Sequence, residues 1–445
     1  MIKQISKKFV HADLRNKIYC DWITFLKKSE KWSRDRIDEY ELNSIKTIVA
    51  HAYNNVPGYR RLYQDVGLCP GDLKTKEDLR KFPFVDKETL RDSIESFTTK
   101  IRGMEFITTG GSTGIPFGFY REKAAFAKEL ASKAYQYYRI GWREGCRQMV
   151  FRGISIKRSS RMQFYPRFNE LRCSSYYLTN ENMEIYRKKA FEYRPDFLKG
   201  YPSSLYLFAR YLKDSGKTFP RIKGLLCASE NLYDFQKEIF KEVFNARVFS
   251  HYGHYELAVL AGFCEMKDTY HVLPQYGCAE LVDKNGKPVV TPGEMGEIIG
   301  TSFLMHATPF IRYRTQDFAV LKGWGCPSCG RPYQIWERIE GRLQEFIITT
   351  AGRYISMTAI NMHDDIFNHI KQFQFYQEER GRVEFRYIPK DSFNEKEKEK
   401  IRMKLLIKLG EDMRLIFKKV NDIPLSNRGK YRFLVQKLPI EFGDI

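Results

Sequence analysis

Apolar residues recur at helical spacing through NSIKTIVAHAYNNVPGYRR, where Ile45, Ile48, Val49 and Ala52 share one face, and Pro57 with Gly58 predicts the stop. From Glu105 onward, short β-like runs alternate with amphipathic stretches. EFI predicts a strand, EKAAFAKELASKAYQYY a helix and RQMVFRG a strand; DFLKG with SSLYLFARYLKD, and IKGLLC with YDFQKEIFKEVF, repeat the pair. This alternation predicts an α/β domain on a largely parallel sheet. Beyond His271 the pattern turns to β, and AELVDKNGKPVV carries an Asn285-Gly286 hairpin signal. After GRLQEF come strand-like RVEFRYI, a charged helix from Glu395 to Leu409 and a last strand in YRFLVQKL. The predicted organisation is a large domain over 1–340, β-rich from about 260, a hinge at 341–345 and a small α+β domain over 346–445.

Composition narrows the class. The 445 residues are 43% hydrophobic, enough for a large core and a smaller one. Apolar runs long enough for a membrane span are absent, and the opening MIKQISKKFVHADLRNK lacks the apolar stretch of a signal peptide, so a cytoplasmic location is expected. Nine irregularly spaced cysteines suggest reduced thiols rather than a disulfide framework. The net charge of +21 is interspersed with acids, as in NEKEKEKIRMK; this predicts solvated helix faces and no nucleic-acid partner, with at most peripheral attraction to a membrane surface.

The loop TTGGSTGIPFGFY, Thr108 to Tyr120, concentrates glycines and hydroxyls. GGSTG matches the nucleophile-elbow pattern with Ser112 at its centre. A Walker loop is excluded, because no Lys-Ser/Thr pair follows Gly114. Small residues also let backbone N–H groups approach phosphate oxygens, and a plain turn fits equally well. CPSCGR sets Cys326 and Cys329 as C-x-x-C, half of a zinc site or a redox pair.

Taken in order, TTGGSTGIP, ASENL, HYGHYE, RYRTQD, GRLQEF and NRGK resemble the adenylate-forming (acyl-AMP) superfamily. HAYNNVPGYRR, DLRKFPFVDKETLR and KGYPSSLYLFARYL are similar to segments of its phenylacetate-CoA ligase and CapK-like branch, so the resemblance spans nearly the whole chain. It implies a large adenylate-forming α/β domain with mixed sheets and a β subdomain, followed by a small lid. It also implies ATP, Mg²⁺ and a carboxylate as the reacting set.

By that resemblance, Thr108, Thr109, Ser112 and Thr113 cradle the β and γ phosphates, Tyr252 lies against adenine, and Glu256 binds Mg²⁺. Asp317 accepts the ribose hydroxyls, for which the alternative is a salt bridge with Arg312 or Arg314. Arg342 adds a donor to the nucleotide, and Lys430 is the lid lysine that meets the forming acyl phosphate. Ser229 and Glu230 are expected among the cofactor-binding residues, and because they and the KGYPSS segment flank the motifs in order, the acyl pocket is expected beside them, with Tyr201, Pro202, Gly253 and His254 as its wall. The branch also implies one structural Zn²⁺ on Cys264, His271, Cys326 and Cys329.

Three positions depart from the pattern: Ile115 in place of Lys, Tyr255 in place of Ser or Thr, and Gln344 in place of an acidic hinge residue. They bear on nucleotide handling and on the acceptor step. The acceptor expected is CoA or the amine or hydroxyl of a glycan precursor, as in surface-polysaccharide synthesis. A CoA ligase of small-molecule metabolism, a nucleotide-binding scaffold and a serine hydrolase at Ser112 are the alternatives.

Overall fold

The computed structural model describes residues 16–109, 117–154, 156, 161–342, 345–357, 360, 367, 369–426 and 431–439. The described residues fold as two compact units, each assembled from two stretches of sequence: Gly145–Ser250 with Glu340–Ile445, and Val10–Glu144 with His251–Ile339. Its class is α/β, with large mixed sheets and a small C-terminal sheet domain.

In the first unit, strands Gln148–Arg152, Glu170–Ser174, Phe197–Gly200 and Gly224–Ala228 run parallel, and Met162–Tyr165 closes the edge antiparallel to Glu170–Ser174. The order follows from βαβ crossovers through helices Asn180–Tyr193 and Pro202–Asp214, so the predicted parallel sheet is present. Phe151, Leu198, Leu225 and Cys227 are buried on it.

The C-terminal stretch builds a four-stranded sheet in the order Arg414–Lys419, Arg382–Pro389, Ile370–Glu379, Leu434–Gln436, with helix Glu395–Leu409 beside it. Its hairpin turns at Gly381, whose φ of +74° favours glycine. Phe373, Phe375 and Phe385 share one apolar core with helix residues Ile401 and Leu405 and with the parallel-sheet side chains. A buried guanidinium joins the two stretches: Arg210 donates to the carbonyl of Ile370 (2.8 Å) and to Tyr206 Oη (3.0 Å). These acceptors offset the cost of burying its charge.

The second unit sets helices Lys17–Ser29, Arg34–Asn55 and Lys123–Tyr137 with an antiparallel sheet. Ile45, Ile48, Val49 and Ala52 are all buried on the second helix, as their spacing predicts. That helix ends at Asn55 because Val56, ahead of a proline, is held extended. Pro57 does more than stop it: it occupies the first turn of a new helix, Pro57–Gln64, where its missing N–H costs nothing. The sheet runs Gly277–Val282, Met295–Ser302, Tyr313–Trp324, Gln334–Arg342, Tyr270–Val272, Leu260–Phe263, and the last residues of Arg247–Gly253. The expected turn is present, with Gly286 at φ +74° and Val289 N–H returning to Leu281 O.

Candidate functional site

The second unit brings together three of the residues expected at the nucleotide, Tyr252, Glu256 and Asp317. Tyr252, on strand Arg247–Gly253, donates its hydroxyl to Asp317 Oδ2 at 2.9 Å. Asp317 is buried on strand Tyr313–Trp324, and its N–H donates to Thr315 Oγ1. Arg312 and Arg314 are bonded to the carboxylates of Glu280 at 3.0 Å and Glu297 at 2.6 Å.

Glu256 follows Gly253 by three residues and is also buried. One oxygen accepts from Tyr313 Oη at 3.2 Å and the other lies 3.2 Å from His254 Nδ1. His254 Nε2 is buried with no hydrogen-bond partner among the described residues. Gly253 is tightly placed, since a Cβ there would meet Leu260 Cδ1 at 3.0 Å. Tyr255, the departure beside Glu256, points to solvent with 55% exposure.

Four of the eight non-glycine residues with positive φ among the described residues lie in or beside these motifs. Ser229, Leu257, Arg312 and Gln316 all have φ between +48° and +68° without being glycine. Such conformations persist where surrounding contacts fix them, and they gather at functional sites.

The glycine loop lies between strands Met104–Thr109 and Phe117–Glu122, which pair antiparallel with Thr108 opposite Gly118. A nucleophile elbow requires a strand followed by a helix, so strands on both sides remove the serine-hydrolase reading of Ser112. Thr108 is exposed, and Thr109 ends its strand. Ser112, Thr113 and Ile115 lie outside the described residues. Sequence reading missed Glu122, whose carboxylate accepts from the backbone N–H groups of His306 (2.8 Å) and Ala307 (2.7 Å).

In the first unit, Glu230 accepts from Ser203 N–H at 3.0 Å, in the first turn of helix Pro202–Asp214. A carboxylate is favourable there, where the helix dipole is positive. Tyr201 is the N-cap residue and Pro202 the first helical residue, so the acyl-pocket candidates of this unit lie side by side. Ser203 Oγ also accepts from the N–H of Tyr431, the residue after Lys430; Lys430 itself lies outside the described residues.

The expected hinge carries a bonded carboxylate that the sequence did not single out: Glu345 Oε2 accepts from Asn231 Nδ2 (2.6 Å) and Tyr233 Oη (3.3 Å). Gly341 has φ +87°, and a Cβ there would collide with Asn231 and Glu345. Arg342 is half-buried, while Gln344 lies outside the described residues.

Cys264, His271, Cys326 and Cys329 bring one ligand atom each to within 4.8 Å of one another. His271 comes from strand Tyr270–Val272, Cys264 lies just past Leu260–Phe263, and the two other thiols sit in a turn after Tyr313–Trp324. Glycines at 325 and 330, with positive φ, shape that turn. Both ring nitrogens of His271 are fully buried without a hydrogen-bond partner among the described residues. Burial, followed by the charges of Arg139 and Arg331, pushes the imidazole pKa down to about 3, which leaves it in the metal-binding form. Three soft sulfurs and one neutral nitrogen at this spacing match a closed tetrahedral zinc site.

Comparison with known proteins follows the same lines. Residues 347–437 match the family model of the CapK C-terminal domain. Protein CapK of Staphylococcus aureus is 23% identical over 415 residues, 87% of this chain and 87% of its own. A phenylacetate-coenzyme A ligase of Pseudomonas putida is 25% identical over 329 residues, 72% of this chain and 73% of its own. Among solved structures, 2-hydroxyisobutyryl-CoA ligase in complex with R3-HIB-AMP superposes with a TM-score of 0.73 at 18% identity, over 92% of this chain and 91% of that one. That likeness concerns the fold. No described helix is long and apolar enough to cross a membrane.

Proposed function

We propose, for a chain that belongs to the adenylate-forming enzymes in their phenylacetate-CoA ligase and CapK-like branch, an ATP-dependent ligation with a glycan precursor or CoA as acceptor. The coarse activity is that of an adenylate-forming ligase, which activates a carboxylate. A carboxylate oxygen attacks the α-phosphorus of ATP and pyrophosphate leaves. The acceptor then attacks the acyl carbon of the mixed anhydride, and AMP leaves.

The observation that carries the reading is the bond from Tyr252 to Asp317, beside a buried Glu256 fixed from two sides. It sets an aromatic face, a bidentate acceptor and an oxygen ligand in one unit before substrate arrives. Preorganisation of this kind removes entropy from the barrier, up to about 7–11 kcal/mol for well-aligned partners. In this reading Asp317 accepts both ribose hydroxyls, Tyr252 covers the adenine and Glu256 would hold Mg²⁺, whose hardness suits carboxylate oxygen. Thr108, Thr109, Ser112 and Thr113 hold the leaving pyrophosphate, Arg342 adds a donor, and Lys430 brings a point charge to the reacting phosphate.

Zinc on Cys264, His271, Cys326 and Cys329 would supply structure and no chemistry, tying three strand ends of the β region together. Residues 341–345 act as the hinge of the C-terminal domain, consistent with a family match that starts at 347. Ser229 and Glu230, with Tyr201 and Pro202, serve the acyl group. Use of ATP fits the cytoplasm.

Carboxylate-dependent exchange of labelled pyrophosphate into ATP, with Mg²⁺, over aryl, fatty, amino and uronic acids tests the reading. Exchange with one class identifies the acid; adding CoA or amino sugars then identifies the acceptor. Binding of ATP with no exchange over the whole panel would favour the scaffold alternative.

A further inference from the structure

Helix Glu395–Leu409 carries two apolar stripes, and the fold uses one of them. Ile401, Leu405 and Leu409, at i, i+4 and i+8, are fully buried in the core of their unit. Met403 and Ile407, one turn apart on the opposite side, are 61% and 80% exposed. With about 100° between successive residues, Lys396, Lys400 and Lys404 fall in the same arc as these two side chains; Lys408 borders it together with Glu397, which lies 3.8 Å from His369 Nε2. Glu399, on the other border, is paired with Arg402.

A groove of about 570 Å³ runs beside this arc, between the helix and strand Arg414–Lys419 at the end of its sheet. Lys398, Arg402 and Arg414 line it together with Leu406, Met413 and Phe417. The face therefore joins a short apolar ridge to a broad cationic rim, on a chain of net charge +21.

Single exposed apolar residues need no explanation. Two of them stacked one turn apart among lysines form the pattern of a helix that lies at a lipid–water interface. We propose that this face attaches the protein peripherally to a bilayer of anionic phospholipid, with Met403 and Ile407 entering the interfacial layer and the lysines among the headgroup phosphates. Charge complementarity selects this occupant, because Lys396 and Lys400 are exposed beside the uncharged ridge while Glu395 and Glu399 are paired with Lys398 and Arg402. The buried stripe holds the helix in its unit, so attachment requires no unfolding. With only two side chains inserted, attachment is reversible and weakens with salt. The proposal is independent of the ligase reading.

The test is co-sedimentation of the full-length protein with vesicles containing about one third phosphatidylglycerol, against pure phosphatidylcholine. Binding to the anionic vesicles at least about tenfold above the neutral ones is expected, with loss at about 0.5 M salt. Met403→Ser/Ile407→Ser and Lys396→Glu/Lys400→Glu should each lower binding by about tenfold, while thermal stability and soluble activity stay at wild-type level. In Ile407→Trp, tryptophan emission should shift to the blue with anionic vesicles alone.

Equal binding to neutral vesicles, no binding at all, variants that bind like the wild type, or a tryptophan that stays in water would each overturn the proposal. Vesicle-free self-association abolished by Met403→Ser/Ile407→Ser would overturn it in favour of a second copy of the chain.

Discussion

Tyr252 and Asp317 are 65 residues apart in sequence, and the hydroxyl of one donates to the carboxylate of the other at 2.9 Å. The bond fixes both the ring plane and the carboxylate rotamer on neighbouring stretches of one unit. Asp317→Ala should therefore weaken ATP binding by at least about tenfold, since both ribose hydroxyls lose their charged acceptor. Tyr252→Phe keeps the ring and frees the carboxylate, so a smaller loss, of about threefold, is expected. Equilibrium binding of ATP to the two variants measures both effects; equal affinities in wild type and Asp317→Ala would remove Asp317 from the site.

Lys430→Ala addresses a different step. A lysine that meets the reacting phosphate contributes to the transition state more than to ground-state binding, so the exchange rate should fall by about 100-fold or more while ATP affinity changes little. Parallel measurement of exchange kcat and ATP binding separates the two quantities. Equal loss of both in Lys430→Ala and in Asp317→Ala would refute the division of labour between them.

The sequence displayed elements whose periodicity is set by burial alone. Helix Arg34–Asn55 and strands Gln148–Arg152 and Gly224–Ala228 follow their apolar patterns closely. Strand Ile370–Glu379 was concealed because Gln374 and Gln377 occupy buried positions and interrupt the alternation. The structure explains why they are tolerated: Gln377 Nε2 donates to Ile348 O and its Oε1 accepts from Ile348 N–H, both at 2.7 Å. Pro57 was read as a terminator since proline ends helices, yet the same fixed φ suits the first turn of the next one.

Within the site, Tyr252, Glu256 and Asp317 were legible from motif order, whereas the groups that hold motif residues were not. Tyr313 on Glu256, and Asn231 on Glu345, are choices of tertiary packing with no local periodicity. The set of three cysteines and one histidine was legible as a set because its residue types are scarce.

His306 gives the stability a pH dependence. Burial holds its imidazole below the ordinary value of 6.5, against the pull of the Glu122 carboxylate, with His51 and Lys128 also facing it. The unfolded chain then binds a proton before the folded one does. Stability from this group is full above the unfolded value and declines as pH falls through it toward the lower folded value. Thermal melts from about pH 8 to about pH 5 should show Tm falling on the acid side, with a shallower slope in His306→Gln. Identical slopes in the two proteins would assign the acid sensitivity to other groups.

Purified protein should hold close to one zinc per chain, because His271 is buried with both nitrogens unengaged by described residues and three thiols converge on it. Without an ion the nitrogen that would ligate it forgoes a partner at a cost of about 1–3 kcal/mol, which makes an empty cluster a poor resting state. Cys326→Ser replaces a thiolate by a hydroxyl that seldom ligates zinc, so it should lose the metal and lower the Tm by several degrees. A strong chelator should do the same to the wild type, with zinc restoring the melt. Elemental analysis alongside the melts decides the matter: zinc near zero in fresh protein, with Cys326→Ser as stable as the wild type, would leave the cluster as unliganded thiols packed against Ile335.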